Sequence, residues 1–375
     1  MKPIRRVLIA QPYGIGDLLF VTPVLRALRL LPAVEKVDLL LGSRTSAVVR
    51  SNPHVDEIFS IDKDLFGRRR QRENFRELAA LGARLRSERY DLLLDYSLRG
   101  EYAFFSRFFL GIRRRAGFDY KRRGFFHTHR LGLPEGFKGR HAADYFCDLA
   151  ELAGVPVEDR FLEFYVTDKD REEAQQMLNE GWREKRFIVV SPGGGESWGK
   201  DAHFKRWPVR FFAEMMTWLR KKIAFEAAAI LGSETEQPLA DELVSILKEQ
   251  GCSEDLLNLA GRVSIGASAA ILEKAALLVA NDGGLVHLAR ALRTPLIAFY
   301  GPVDPEVYGP YPGTAGAAAI FKEGLECRPC YQKFRYRADC PHRNCLQDLQ
   351  PEEVFQKLES RSFLKALSPC ESPAI

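Results

Sequence analysis

The chain has 375 residues, 46% of them hydrophobic and 28% charged, with a formal net charge of +5. This composition is typical of a soluble globular protein, and the length exceeds what one hydrophobic core comfortably supports, so we expect two domains. Apolar runs stop short of the roughly 18 residues that a membrane span needs, which argues against a transmembrane protein. The opening stretch MKPIRRVLIAQPYGIGD predicts a first β-strand rather than a signal peptide, so we expect a cytoplasmic protein.

Strand-like and helix-like patterns alternate through the first half of the chain. The strands predicted there are 6–11, 36–42 and 90–97, and the helical patterns are 17–30 and about 78–86. Continuous apolar runs of this kind are typical of parallel strands that are buried on both faces.

A second alternating series begins after a polar helical stretch at 167–185. Its predicted strands are 186–191, 226–232, 276–280 and 295–301. One helix is predicted to begin after Pro208, and three others are predicted at 236–250, 284–292 and 351–367. Two successive series of strands and helices predict an α/β protein with two doubly wound, Rossmann-like domains that face a central cleft.

The strongest motif is VANDGGLVHLARALRTPLIAFYGPVDPEVYGP, where a tight turn joins a strand to a helix. Small residues at Asp282, Gly283 and Gly284 would let the free amides of the helix N-terminus hold a phosphate, and His287 would add a donor. The alternative is a turn that needs glycine for its backbone angles and a histidine on the surface. FYGPVDPEVYGP favours a ligand, because it is a second unusual loop at the end of a strand.

The stretch SPGGGESWGKDAHFKRWP also follows a predicted strand. Ser191, Gly193 and Gly194 begin a loop that could wrap a phosphate or a sugar, and Lys200 and Lys205 could neutralise a diphosphate leaving group. The glycines are not followed by the G-K-[ST] of a Walker loop, and a GxGxxG that opens a helix is also missing. A nicotinamide cofactor is therefore not expected.

A third loop, LGSETEQPLADEL, places Glu234 and Glu236 at the start of a helix. Carboxylates at that position cap a helix, or they accept hydrogen bonds from both ribose hydroxyls of a nucleotide. Because all three loops belong to the second series, we expect them to contact one nucleoside diphosphate.

Asp17 follows Gly14 and Gly16 in the first series, at the mouth of a glycine turn. A carboxylate is poorly suited to bind phosphate, but opposite a bound diphosphate it could act as a general base on an acceptor hydroxyl. The alternative, that Asp17 caps the helix predicted at 17–30, is compatible with that role.

Basic residues are concentrated in FGRRRQRENFR (66–76) and IRRRAGFDYKRRGFFHTHR (112–130), which favours anionic partners such as nucleic acid, anionic lipid or an acidic glycan. A solvated basic face is the simpler alternative. The mixture of Phe and Arg in EYAFFSRFFLGIRRR suits a membrane-surface or acceptor-facing site, although a helix that packs its Phe side chains inward would look similar. The residues predicted to bind the acceptor are Arg113, Arg114, Arg115, Lys121 and Arg122.

Four of the seven cysteines form a C-x2-C-x9-C-x4-C pattern, which is compact enough for a zinc ribbon. In a cytoplasmic protein zinc is more plausible than disulfides. A structural zinc, a disulfide or redox role, and free thiols all remain open. The four residues are Cys327, Cys330, Cys340 and Cys345, and the isolated ones are Cys147, Cys252 and Cys370.

Taken together, GIGDLLFVTPVLRALR, SPGGG…KRWP and NDGGLVHLARALRTPLIAFYGPVDP resemble the lipopolysaccharide heptosyltransferases, glycosyltransferase family 9, of GT-B architecture. The resemblance covers about residues 5–360. It implies inverting transfer of a sugar, heptose from ADP-heptose, onto a lipopolysaccharide core or related lipid-linked saccharide, with no metal or cofactor required.

The resemblance also implies roles for individual residues. Asp17 looks like the catalytic base, Lys205 like the diphosphate-binding lysine and Glu236 like the ribose-binding glutamate. Gly283 stands where the family's phosphate loop has Ser or Thr, so a hydroxyl donor is lost. The full donor-binding prediction is Gly14, Gly16, Ser191, Gly193, Gly194, Lys200, Glu236, Asp282, Gly283, Gly284 and His287.

On this resemblance we assign 1–170 to an acceptor-binding domain, 171–350 to a nucleotide-sugar-binding domain and 351–375 to a C-terminal helix and tail. The expected location is the cytoplasm, with contact to the cytoplasmic face of the inner membrane and without a nucleic-acid partner. The alternatives are a GT-B nucleotide-sugar epimerase or hydrolase, and a non-catalytic nucleotide or nucleic-acid binder.

Overall fold

The structure is a computed structural model of the chain. It describes residues 3–61, 71–178, 180–182, 184–251, 256–313, 315–336, 340, 342–360, 363–364 and 367. Part of the basic segment 66–76, as well as Cys252 and Cys370, lies outside the described residues. Contacts divide the chain into two compact units, Met1–Tyr165 and Val166–Ile375.

Unit 1 is built on a six-stranded sheet with the order β3-β2-β1-β4-β5-β6, in which all neighbouring strands pair in parallel. Its strands are β1 (Arg6–Gln11), β2 (Lys36–Gly42), β3 (Glu57–Ile61), β4 (Leu92–Asp95), β5 (Arg114–Asp119) and β6 (His129–Gly132). Its helices are α1 (Ile15–Leu19), α2 (Thr22–Arg29), α3 (Gln71–Ser87), α4 (Glu101–Phe108) and α5 (Ala142–Leu152).

Unit 2 repeats this topology, with a parallel six-stranded sheet in the order β12-β11-β10-β7-β8-β9. Its strands are β7 (Phe187–Ser191), β8 (Ala227–Ile230), β9 (Leu256–Asn258), β10 (Leu277–Asn281), β11 (Leu296–Tyr300) and β12 (Ala317–Phe321). Its helices are α6 (Asp168–Met177), α7 (Val209–Ile223), α8 (Gln237–Glu249), α9 (Ile265–Lys274), α10 (Gly284–Ala291), α11 (Pro305–Tyr308), α12 (Asn344–Gln347) and α13 (Pro351–Glu359). The prediction of two doubly wound α/β sheets is confirmed.

The cores explain why the apolar runs were good predictors. Every residue of β4 and β10 is buried, as expected for strands covered by helices on both faces. In unit 2, Trp207 stacks on Phe299 with ring centroids 4.1 Å apart, at the centre of a cluster that also takes up Val354 and Leu358 of α13. The C-terminal helix is therefore part of the unit 2 core.

Local predictions differ from the structure at several elements. The helix predicted over 17–30 is two helices, α1 and α2, and Pro23 lies in the first turn of α2, where its missing N–H is tolerated. The last helix ends at Glu359 rather than 367. Strands β3, β5, β6 and β9 were not predicted, because they are short or carry polar residues that weaken the apolar pattern. Strand β12, AAAIF, was not recognised although its residues are apolar.

Candidate functional site

Ligands of open parallel sheets bind beyond the carboxyl ends of the strands, where the strand order reverses. In unit 2 this switch point lies between β7 and β10, where Ser191, the last residue of β7, pairs in register with Ala280, the penultimate residue of β10. The glycine loop after β7 and the turn before α10 leave from these adjacent ends. The topology therefore brings together two of the stretches that the sequence singled out.

Asn281 joins the two stretches. Its side-chain amide donates to the Pro192 carbonyl at 2.7 Å, and its side-chain oxygen accepts from the Trp207 backbone N–H at 3.0 Å. A Cβ placed on Gly283 would lie 2.8 Å from the Gly194 carbonyl oxygen, and Gly194 itself has φ +89°. The close approach of these two backbones explains why glycine stands at 283, where a Ser or Thr would collide with the neighbouring loop.

Glu236 closes the glycine loop from the third stretch. Its carboxylate accepts the Gly195 N–H at 2.7 Å and the Ser233 N–H at 2.9 Å, and the residue is 4% exposed. A Cβ on Gly193 would overlap one of the carboxylate oxygens. A carboxylate has about four lone-pair sites, so these two bonds leave capacity to accept further donors.

The cation of this site is Lys205, whose Nζ lies 3.1 Å from Asp282 Oδ2. Both side chains are buried, and the ammonium also lies 5.3 Å from the centroid of the Trp198 ring. Trp198 in turn stacks on Tyr331 and Tyr336. An ammonium has three donors, so the ion pair with Asp282 does not exhaust its capacity to bind an anion.

The residues of unit 2 that were predicted to bind the donor differ in how far they are buried. His287 lies buried in the first turn of α10, and burial, with Lys205 nearby, lowers its pKa to about 3, so the imidazole is neutral near pH 7. The alternative of a surface histidine is therefore wrong. Ser191 is buried at the end of β7. The Lys200 side chain is exposed and has no acidic partner among the described residues.

The aromatic side chains of this site were missed by the sequence reasoning. Trp198 lies within the glycine-loop motif, but Tyr331 and Tyr336 come from the cysteine-rich segment, far along the chain. Tyr300 ends β11 with its hydroxyl buried and without a hydrogen-bond partner in the described part of the chain, and burial together with Asp282 raises its pKa well above the usual value.

The corresponding switch point in unit 1 lies between β1 and β4 and has carboxylates. Asp17 is half-buried, and its Oδ2 accepts the Gly14 N–H at 3.2 Å, which caps the first turn of α1. Asp17 therefore caps α1, as one of the two interpretations predicted. This cap is compatible with the other prediction, that Asp17 acts as a base. Gly16 lies within α1.

Asp95 ends β4 and forms a buried pair with His127, with Oδ2 and Nε2 3.1 Å apart. The Nδ1 atom of His127 is buried and lacks a hydrogen-bond partner among the described residues. Burial raises the pKa of Asp95. Burial also raises the pKa of Tyr13, and the nearby carboxylates of Asp95 and Asp17 add to that shift. The sequence signal for Asp95 was its place at the end of the apolar run YDLLLD, which was interpreted only as a strand.

The sequence model of glycosyltransferase family 9 (heptosyltransferase) matches residues 78–336, more than half of the chain. The chain belongs to this family. It is a glycosyltransferase, as the family resemblance predicted.

Known proteins agree with this assignment. Lipooligosaccharide heptosyltransferase 2 of Haemophilus influenzae is 30% identical over 155 residues, which cover 41% of this chain and 42% of that protein. The structure of E. coli ADP-heptose lps heptosyltransferase II matches with a TM-score of 0.70 and 21% identity, covering 96% of this chain and 99% of that one. E. coli heptosyltransferase WaaC, solved with ADP-2-deoxy-2-fluoro heptose, matches with a TM-score of 0.67 and 19% identity, covering 95% and 99%.

The basic residues of this family 9 enzyme that were predicted to bind the acceptor differ in their exposure to solvent. Arg115 is 3% exposed, and its guanidinium donates to the backbone carbonyls of Ile112, Arg113 and Phe126. A guanidinium engaged in this way serves the fold, so the prediction that Arg115 binds an acceptor is wrong. Arg114 is half-buried, and the exposed members of the predicted set are Arg113, Lys121 and Arg122.

No disulfide joins the clustered cysteines in this structure. Cys345 is largely shielded from solvent, and burial raises its pKa to about 12, with Cys330, Cys340 and Cys327 adding to the shift. Within the described residues no three His, Cys, Asp or Glu side chains are arranged to hold a metal ion. As placed, the four thiols do not form a zinc site.

Proposed function

We propose that this enzyme transfers heptose from ADP-heptose to a lipopolysaccharide core or a related lipid-linked saccharide. The observation that carries the donor half is the switch point of unit 2, where buried Lys205, the glycine loop and the N-terminus of α10 meet. Backbone amides, a helix N-terminus and an ammonium are the groups that bind a diphosphate. The E. coli enzyme solved with an ADP-heptose analogue supports this choice of donor.

In the proposed reaction an acceptor hydroxyl oxygen attacks the anomeric carbon of the heptose. A new C–O bond forms there with inversion, and the bond from the anomeric carbon to the diphosphate oxygen breaks. ADP leaves with the electron pair. Lys205 and the amides that open α10 stabilise the negative charge that develops on the diphosphate.

Asp17 is proposed as the group that takes the proton from the acceptor hydroxyl. Its carboxylate accepts the Gly14 N–H, and a carboxylate has about four lone-pair sites, so it is chemically able to accept a hydroxyl proton as well. Exposed Arg113, Lys121 and Arg122 are proposed to bind anionic groups of the acceptor.

Glu236 is proposed to accept the ribose hydroxyls while it holds the glycine loop. Calorimetry with ADP, UDP, GDP and NAD in one buffer tests the donor class. We expect a preference for ADP that is lost in Glu236→Ala, whereas Glu234→Ala, at an exposed position of the same turn, serves as the matched control. A preference for UDP or GDP would rule out ADP-heptose as the donor.

Product analysis separates transfer from the alternative of a nucleotide-sugar epimerase or hydrolase. With ADP-heptose alone we expect slow loss of the donor, and with a heptose-free lipopolysaccharide core we expect a heptosylated product. Rapid conversion of the donor without acceptor would contradict the proposal.

Location and metal content belong to the same proposal. Among the helices of the described residues, none combines the length and the apolar character that crossing a membrane requires. We infer that the enzyme works in the cytoplasm at the inner face of the inner membrane, since that is where a lipid-linked acceptor would be reached.

The structural zinc stays a prediction. Elemental analysis of the purified protein, compared with a Cys327→Ser/Cys330→Ser variant, decides whether zinc is bound.

A further inference from the structure

We propose that unit 1 docks on an anionic lipid membrane through a surface made by α4 and the turn after β5. The apolar part of this surface, the phenylalanine patch, consists of Phe104, Phe108, Phe109 and Phe125, all of them exposed. The same segments carry five exposed cations, which we call the cation collar: Arg107, Arg113, Lys121, Arg122 and Arg123.

The patch is contiguous rather than a set of scattered rings. Phe126, half-buried, joins α4 to the turn: its ring centroid lies 5.2 Å from that of Phe104, 5.8 Å from that of Phe108 and 5.3 Å from that of Phe125. Phe104 also contacts Phe108, at 4.9 Å. Contiguous exposed apolar surface with a polar rim marks an interaction site, whereas single exposed rings do not.

Helix α4 has two faces with different tasks. Phe105 packs inward against the core of unit 1, which anchors the helix on the sheet. Phe104 and Phe108 point the other way, 43% and 55% exposed. The inward-packing explanation that the sequence left open therefore accounts for one phenylalanine of this helix and leaves the outward rings without a structural purpose.

Charge decides what kind of partner fits. Residues 101–130 contain eight Lys or Arg and two acidic residues, Glu101 and Asp119. Arg107 lies over the Phe108 ring at 5.3 Å, and no member of the cation collar has an acidic ion-pair partner among the described residues. In a symmetric dimer the collar of one copy would meet that of the other, which like charges disfavour. An anionic lipid surface accepts both the cations and the rings.

The position of the surface in unit 1 fits this partner. Helix α4 follows β4 and the turn Arg123–Phe126 follows β5, so both begin at the carboxyl edge of the sheet, from which the loop with Asp17 also leaves. The surface extends from that edge along α4 to Arg113, which precedes β5 at the amino end of the strand, so docking would lay this side of unit 1 against the membrane. The value of this orientation for a lipid-linked acceptor rests on the proposed function, but lipid binding itself does not.

Sedimentation of the full chain with vesicles tests the proposal. The probes are vesicles of phosphatidylcholine alone and of phosphatidylcholine with phosphatidylglycerol, both without donor or acceptor, so the result is independent of transfer. We expect binding to the anionic vesicles only, weakened by high salt because counterions screen the collar.

Two double variants separate the patch from general stickiness. Phe108→Ser/Phe125→Ser removes rings that are 55% and 76% exposed, and Leu30→Ser/Phe161→Ser removes apolar side chains of the same unit, outside the patch, that are 76% and 49% exposed. We expect the first to weaken binding by about tenfold or more, since each ring contributes buried apolar area, and the second to bind within about twofold of the wild type.

Arg107→Gln/Arg123→Gln keeps the rings and tests the collar, so the proposal can still be decided if the phenylalanine variant unfolds. We expect it to lose most of the preference for anionic over neutral vesicles. Equal binding of all variants, or no binding of the wild type to anionic vesicles, would overturn the proposal. So would a wild-type dimer that the phenylalanine variant alone dissociates, since the patch would then join two copies.

Discussion

The two sheets have the same strand order but carry different functional groups at the equivalent place. At the switch point of unit 1, the side chains at the strand ends include Asp17 and the buried Asp95–His127 pair. At that of unit 2, the glycine loop and the N-terminus of α10 offer backbone amides and Lys205 offers an ammonium, alongside the carboxylates of Asp282 and Glu236. The same topology therefore supplies a scaffold at both places, and the residues at the strand ends decide whether it serves a proton acceptor or an anion site.

Under the proposed function the chemical step belongs to unit 1 and donor binding to unit 2, and variants can break that proposal. Asp17→Asn gives the largest expected effect. The amide oxygen can still accept the Gly14 N–H, so the cap is kept while the base is lost. We expect kcat for transfer to fall by about 10²- to 10⁴-fold, with ADP affinity unchanged by calorimetry. Full activity would mean that Asp17 only caps α1.

Lys205→Ala should act in the opposite way, through the donor. We expect ADP affinity to fall by about tenfold to a hundredfold, since a charge-assisted bond to the diphosphate is lost. Lys221→Ala, at an exposed lysine of α7 outside the predicted donor-binding set, is the control and should bind ADP within about twofold of the wild type. Comparable losses in both variants would point to general charge attraction instead of a defined site.

The same substitution has a second, structural consequence. Without Lys205, Asp282 is left as a buried carboxylate that has lost its ion pair, and we expect unfolding to become easier by about 3–5 kcal/mol. Lys205→Ala/Asp282→Ala should recover much of this stability in urea unfolding without recovering ADP affinity. Recovery of both would contradict the role of Lys205 in binding.

Gly193→Ala sharpens the comparison at the level of the backbone. The added Cβ would overlap the Glu236 carboxylate, so the loop must shift, and we expect a loss of about 1–3 kcal/mol in the free energy of unfolding. Gly181→Ala, where a Cβ meets nothing within 4 Å, should change it by less than about 0.5 kcal/mol. Urea unfolding measures both, and equal stability of the two variants would show that the loop is not tightly packed.

A further prediction concerns the pH dependence of stability. His287 has its folded pKa lowered to about 3, below the ordinary value of 6.5, so the unfolded chain takes up the proton first as pH falls. Its contribution to stability is complete above pH 6.5 and is lost progressively as the pH drops from 6.5 towards 3. Unfolding of His287→Gln should therefore depend less on pH in that window, whereas His203→Gln, at an exposed position, should follow the wild type. An unchanged slope for His287→Gln would show that the histidine is not held neutral by burial.

Much of the fold could be predicted because buried parallel strands are continuous apolar runs. The runs at β1, β2, β7, β10 and β11 lie within about one residue of their predicted bounds. The strand β5, RRAGFD, could not be recognised in this way, because its two arginines resemble a solvated basic loop. Arg115 is buried there since backbone carbonyls satisfy its guanidinium, a compensation that no local pattern reveals.

The sequence by itself determined the α/β class, the glycine turns and the residue types at the strand ends, because these depend on local periodicity and on backbone angles that glycine permits. Only the tertiary structure decided which of them meet. The Lys205–Asp282 pair, the closure of the glycine loop by Glu236 and the aromatic stack on Trp198 join segments far apart in the chain. The tertiary structure also decided that the phenylalanine patch is exposed, since the helical period of α4 alone does not say which of its faces the sheet covers.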